Sequence, residues 1–100
     1  MVAIRKDAGE SPKLVQIENS LEALQQAVGG YVETVTFCSD AVLLCDEEGK
    51  IKNRPMNVKL FGEEFVGTIL IVGVNGDEFT DLKNPDNVCR LIFNCNLAVE

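Results

Sequence analysis

Hydrophobic positions change period along the chain, and each change marks an element. Val2 to Lys6 reads as a first short strand and Lys13 to Glu18 as a second, in which Val15 and Ile17 share a face. The turn formers Asp7-Ala8-Gly9-Glu10-Ser11-Pro12 lie between them, which predicts an antiparallel hairpin. The period then becomes helical: Leu21, Leu24 and Val28 recur on one stripe, with Ala23 and Ala27 adding small apolar surface. Asn19 and Glu22 have the spacing of a capping box, and Ser20 is the alternative cap. Gly29-Gly30 ends the helix, because glycine takes the left-handed C-cap without a Cβ penalty.

Tyr31 to Cys38 is rich in β-branched and aromatic residues, with Tyr31, Glu33, Val35 and Phe37 on one face and Val32, Thr34, Thr36 and Cys38 on the other. Ser39-Asp40 turns it into Ala41 to Cys45. Asp46-Glu47-Glu48-Gly49-Lys50 reads as the loop of a second hairpin, with positive φ expected at Gly49 and Ile51 beginning the return. Asn53 to Asn57 is irregular around Pro55, Val58 to Phe61 is a short strand, and Gly62-Glu63-Glu64 breaks the pattern.

Phe65 to Val74 is a nearly continuous aliphatic run, and its lack of alternation predicts a central strand covered on both faces. Asn75-Gly76 should fold the segment from Asp77 to Leu82 back onto it. Asn84-Pro85-Asp86 carries the marks of a helix start, and Val88, Leu91, Ile92 and Cys95 supply its apolar stripe. The sum is a single α+β domain over residues 1–100: a small, mostly antiparallel β-sheet covered on one side by one or two short helices, in the order ββαββ followed by further strands and a C-terminal helix.

One hundred residues leave no room for a second core, and 46% hydrophobic with 25% charged residues excludes a disordered tail. The net charge of -7 opposes binding to a phosphate backbone, so no direct nucleic-acid partner is expected. The longest apolar-rich run, Phe65 to Val74, is about half of what a bilayer requires, and Met1 to Asp7 reaches charge too early for a secretory signal. No membrane partner and a cytoplasmic address are expected. Cys38, Cys45, Cys89 and Cys95 form no Cys-x-x-Cys pair and the chain has no histidine, which leaves no metal signature and favours reduced core thiols.

The segments Gly29-Gly30-Tyr31-Val32-Glu33, Asp46-Glu47-Glu48-Gly49-Lys50, Pro55-Met56-Asn57 and Val66-Gly67-Thr68-Ile69-Leu70-Ile71-Val72-Gly73, in this order and spacing, resemble domain of unknown function 3846. That is a small family carried by bacteria, phages and mobile elements. The likeness covers nearly the whole chain. It departs near Asn53-Arg54, where the family usually shows leucine or glycine, and at Val58, where the family usually has a basic residue. The family has no established catalytic residues, so the resemblance implies a context, an accessory or counter-defence role, rather than a chemistry.

Catalysis is poorly supported: with no histidine, a general base would have to be a carboxylate or a perturbed lysine, and a thiol nucleophile would lack its imidazole. Neither an enzyme nor a cofactor is expected. The one local charge anomaly is the group Lys50, Lys52, Arg54 and Lys59 in an otherwise acidic chain. If that loop folds beside Gly30 and Tyr31, then Gly30, Tyr31, Lys50, Lys52, Arg54 and Asn57 could hold an anionic, nucleotide-like ligand. The plainer reading is that these cations neutralise nearby Glu47, Glu48, Glu63 and Glu64 on the surface. The preferred reading is a non-enzymatic accessory module that binds a host protein or an anionic small molecule, as a monomer or as a weak homodimer joined through an exposed edge strand; the alternative is a small anionic-ligand binding protein or minor enzyme that uses the basic loop at 50–59.

Overall fold

The aliphatic run around Ile69 is the middle of the sheet, as its lack of alternation predicts. The computed structural model describes residues 1–98. In chain order the elements are β1 (Val2–Lys6), β2 (Lys13–Gln16), α1 (Leu21–Val28), β3 (Val32–Thr36), β4 (Ala41–Asp46), β5 (Met56–Leu60), β6 (Glu63–Val66), β7 (Ile69–Asn75), β8 (Glu78–Thr80) and α2 (Pro85–Phe93). The main sheet is antiparallel throughout and runs β2-β1-β7-β4-β3, with β8 also paired to β7. β5 and β6 form a separate hairpin.

Register explains the core. Ile71 stands between Ile4 and Leu43, and these three side chains share one face of the sheet. Leu70 and Val72 stand beside Leu44 and Val42 on the other face. Ile69, Leu70, Ile71 and Val72 are fully buried, each worth up to about 2 kcal/mol in removed apolar surface. The sheet is therefore covered on both faces, not on one. α1 closes the face of Leu70 and Val72 with Leu24 and Val28, while α2 and the β5–β6 hairpin lie over the face of Ile4, Leu43 and Ile71 with Cys89, Leu60 and Phe65.

Local chemistry sets the helix ends. Ser20, rather than Asn19, caps α1 by accepting the Ala23 N–H at 3.2 Å. Asn19 instead donates to the Phe79 carbonyl at 2.9 Å and ties the helix start to β8. Gly29, at φ 84°, ends the helix as predicted. Leu21 is 64% exposed, so the docking stripe is Leu24 and Val28 without it. At the start of α2, Asn84 occupies the cap position in a left-handed conformation and makes no side-chain cap bond, with Pro85 following it.

Four expectations in the second half are corrected. The hairpin predicted across residues 46–51 does not form. β4 is already paired with β3 and β7, so no edge is left for a strand returning from Ile51. The chain coils through successive turns instead, with N–H to C=O bonds Gly49 to Asp46, Lys52 to Glu48 and Arg54 to Gly49. The run Phe65 to Val74 is split by Gly67, whose φ of 71° sends its two halves into different sheets. Glu63 and Glu64 do not break the pattern but open β6, and the hairpin turns at Phe61-Gly62. The β7–β8 loop is Gly76-Asp77, one residue later than the expected Asn75-Gly76, with Asn75 still paired to Glu78.

The two long edges of the sheet differ. Along β2, the Ala98 N–H donates to the Pro12 carbonyl at 2.8 Å, and Ala98 bridges Lys13 in parallel fashion. Along β3, no strand pairs with the outer edge among the described residues.

Candidate functional site

The basic loop does fold beside Gly29-Gly30-Tyr31, and what it meets there is a carboxylate. Asp46 ends a fully buried strand, and its side chain is 0% exposed. Its Oδ1 accepts the Glu48 N–H at 2.9 Å, and its Oδ2 accepts Lys52 Nζ at 2.9 Å and Arg54 Nε at 2.8 Å. The same two cations also donate to the Gly29 carbonyl at the end of α1, Lys52 at 3.3 Å and Arg54 Nη2 at 2.6 Å, where the helix dipole favours positive charge. Burial alone would push the Asp46 carboxyl up. The Glu48 N–H and the Lys52 and Arg54 side chains outweigh burial and hold it below its ordinary value.

The glycines in this region make room for the clasp. A Cβ on Gly30 would lie 2.5 Å from Asp46 Oδ1 and 2.6 Å from Lys52 Nζ. A Cβ on Gly67 would lie 2.8 Å from Arg54 Cδ. Gly30, Lys52 and Arg54 thus come together around Asp46, and the positive charge of the two cations is already engaged by a buried anion.

The other three candidate residues do not bond to Asp46. Asn57 sits at a bulge in β5, where its Nδ2 donates to the Lys6 carbonyl at 2.8 Å and the Gly67 carbonyl at 2.6 Å, and its Oδ1 accepts from Lys6 Nζ at 2.7 Å. It fastens the small hairpin to β1. Tyr31 is 66% exposed, and its backbone carbonyl accepts the Glu47 N–H at 2.8 Å. Lys50 lines a depression of about 110 Å³ with Glu33, Asp46, Glu47, Glu63 and Glu64. The clasp centre itself, Asp46, is not among the residues that the sequence singles out for a site. Its one signal is position: an acidic residue closing a run of buried aliphatics must find a partner, because an unpaired buried charge is too costly to keep.

A second feature lies on the α2 side. Between the β3–β4 turn, the tip of the β5–β6 hairpin and α2 is a cleft of about 430 Å³, lined by Phe37, Phe61, Leu82, Val88, Leu91 and Ile92, with Asp40 and Lys83 among its polar residues. The Phe37 and Phe61 rings stack with centroids 5.2 Å apart and an interplanar angle of 16°. Phe61 and Gly62 occupy the hairpin loop at φ 56° and 77°, a conformation that suits asparagine or glycine and strains a bulky residue. The stack supplies a contact that offsets this cost.

The apolar side of α2 also differs from the predicted stripe. Val88, Cys89, Ile92 and Phe93 face the core, while Leu91 is 77% exposed and borders the cleft. Cys45 and Cys89 are buried as expected, whereas Cys38 and Cys95 are exposed, so core packing accounts for only half of the thiols. Cys38 Sγ donates to the Ala41 carbonyl and to Asp40 beside the turn. Burial, aided by Glu33 and Glu63, pushes the Cys45 thiol up to about 11. Burial, aided by Cys95, likewise pushes the Cys89 thiol up to about 11. Both are held as neutral hydrophobes, poor nucleophiles near neutral pH.

Among the described residues, no cluster of His, Cys, Asp and Glu is arranged to hold a metal ion, and no helix is long and apolar enough to cross a membrane. The family described as Domain of unknown function (DUF3846) matches residues 1–90, and the chain belongs to it. No curated protein and no solved structure matches the chain.

Proposed function

We propose that this protein is a non-enzymatic interaction module, a cytoplasmic accessory of phage or mobile-element type, that docks on a host protein through the α2 cleft. The partner surface is one that presents an apolar side chain from a basic surround. The observation that carries this reading is the cleft itself, in which the stacked pair Phe37–Phe61 and the exposed Leu91 hold apolar area at the surface. The net charge of -7 favours a basic partner through long-range attraction.

The alternative, an anionic ligand on the basic loop, loses support because Lys52 and Arg54 would first have to leave Asp46. Nucleotides are accordingly expected to give no thermal stabilisation.

The test is capture of a host partner followed by calorimetry on the purified pair. Leu91→Asp should weaken binding by at least about tenfold, Lys50→Ala should leave it nearly unchanged, and affinity should fall as salt rises. A captured partner that binds Leu91→Asp as well as the parent protein, or the absence of any partner, would overturn the reading.

A further inference from the structure

The outer edge of β3 has no strand partner among the described residues. The Glu47 N–H donates to the Tyr31 carbonyl, and the register sets Glu33 opposite Cys45 and Val35 opposite Leu43. Antiparallel strands bond through alternate residues, so Glu33 and Val35 direct their backbone groups at β4. Val32, Thr34 and Thr36 direct theirs outward, where no strand pairs with them among the described residues. Open edges are ordinarily blunted by lysine, proline, a bulge or a covering segment. β2 has Pro12, Lys13 and the Ala98 bridge. β3, Val-Glu-Thr-Val-Thr, has only Glu33 and is otherwise made of residues with high strand propensity.

We infer that two copies of this chain join antiparallel along β3, about a two-fold axis at Thr34, into one continuous sheet. This register matches every position. Thr34 meets Thr34 of the second copy, Val32 meets Thr36, Glu33 meets Val35, and just beyond the strand Tyr31 meets Phe37. Val32, Thr34 and Thr36 are the residues with free backbone donors and acceptors, so the ladder bonds form where they are available. Tyr31, Glu33, Val35 and Phe37 share a face, so the aromatic pairs at both ends fall on one side of the joined sheet. Moving the axis to Glu33 would set two carboxylates against each other. Moving it to Val35 would place Tyr31 opposite Ser39 and lose the aromatic pairs. The sequence of β3 thus favours one self-complementary register, as a closed two-fold interface requires.

Sedimentation equilibrium of the full chain tests this. The parent protein is expected at twice the single-chain mass, and association should tighten as salt rises, because two acidic chains repel. That salt response is opposite to the one expected for the host partner. Thr34→Pro removes an outward donor without touching the β3–β4 ladder and should give a single chain with a native circular dichroism spectrum. Thr34→Lys should also give single chains, as should Thr34→Glu, and mixing these two variants should restore a mixed dimer. If Thr34→Pro fails to fold, the lysine and glutamate pair still decides the matter. Leu91→Asp should leave the dimer intact. A parent protein that stays monomeric up to about 1 mM, a dimer that persists in Thr34→Lys, or a dimer lost in Leu91→Asp overturns the inference.

Discussion

The two faces of the sheet are closed in different ways. On one, α1 alone lays Leu24 and Val28 over Leu44, Leu70 and Val72, and the helix is pinned at both ends by Ser20 and by the Gly29 carbonyl. On the other, two independent pieces share the work, α2 and the β5–β6 hairpin, and the seam between them stays open as the cleft. A face covered by one pinned element is closed by packing, whereas a face covered by two keeps a gap where they fail to meet. The gap collects the half-exposed aromatics and Leu91.

The largest effect that separates the faces is expected from truncating their anchors. Leu24→Ala should cost about 3 kcal/mol, because a fully enclosed site cannot collapse around the missing methyls. Ile92→Ala, at a half-buried position beside the cleft, should cost about 1 kcal/mol. Urea melts of the two variants measure the difference, and equal losses would show that the faces are packed alike.

The pinning of α1 is tested next. Asp46→Asn keeps the shape and discards the charge that holds Lys52 and Arg54, and should cost about 2 kcal/mol at neutral pH. The sign with pH follows from the lowered carboxyl. Its stabilisation is fully present above the ordinary value of 3.8 and is lost as pH falls below it through the folded value. Asp7, held low by Thr68 and Arg5 against the opposing effect of burial, adds a loss in the same direction. The Asp46→Asn variant should therefore lose less stability than the parent as the pH is lowered from neutral to about 3, as read by melts at stepped pH. The smallest effect is expected at the cleft: Leu91→Asp should change stability by less than about 0.5 kcal/mol, even where it abolishes binding. A larger loss would mean that Leu91 belongs to the core.

Much of this contrast is legible in local signals. The strand Val2–Lys6, the Leu24 and Val28 stripe with its glycine stop, and the burial of Ile69 to Val72 all follow from short-range pattern. The approach of the basic loop to Gly29-Gly30 is also within reach of the sequence, though its neutralisation by Asp46 is not. What escapes depends on distant pairing. The loop after Asp46 carries good hairpin residues, and only the occupation of both edges of β4 forbids the hairpin. The α2 stripe fails for a similar reason: helical spacing permits Leu91 inside, but the face of α2 that packs on the core carries Cys89 and leaves Leu91 exposed. The cleft lies between elements far apart in sequence, so no window of residues announces it.

The short strap at the far margin, where Ala98 meets Pro12 and Lys13, sets a limit on growth. If two copies join along β3 as inferred, the strap leaves no second margin for a further copy, and assembly would stop at a pair. Were the strap removed, both margins would offer backbone groups, and the same attraction would propagate end to end into filaments.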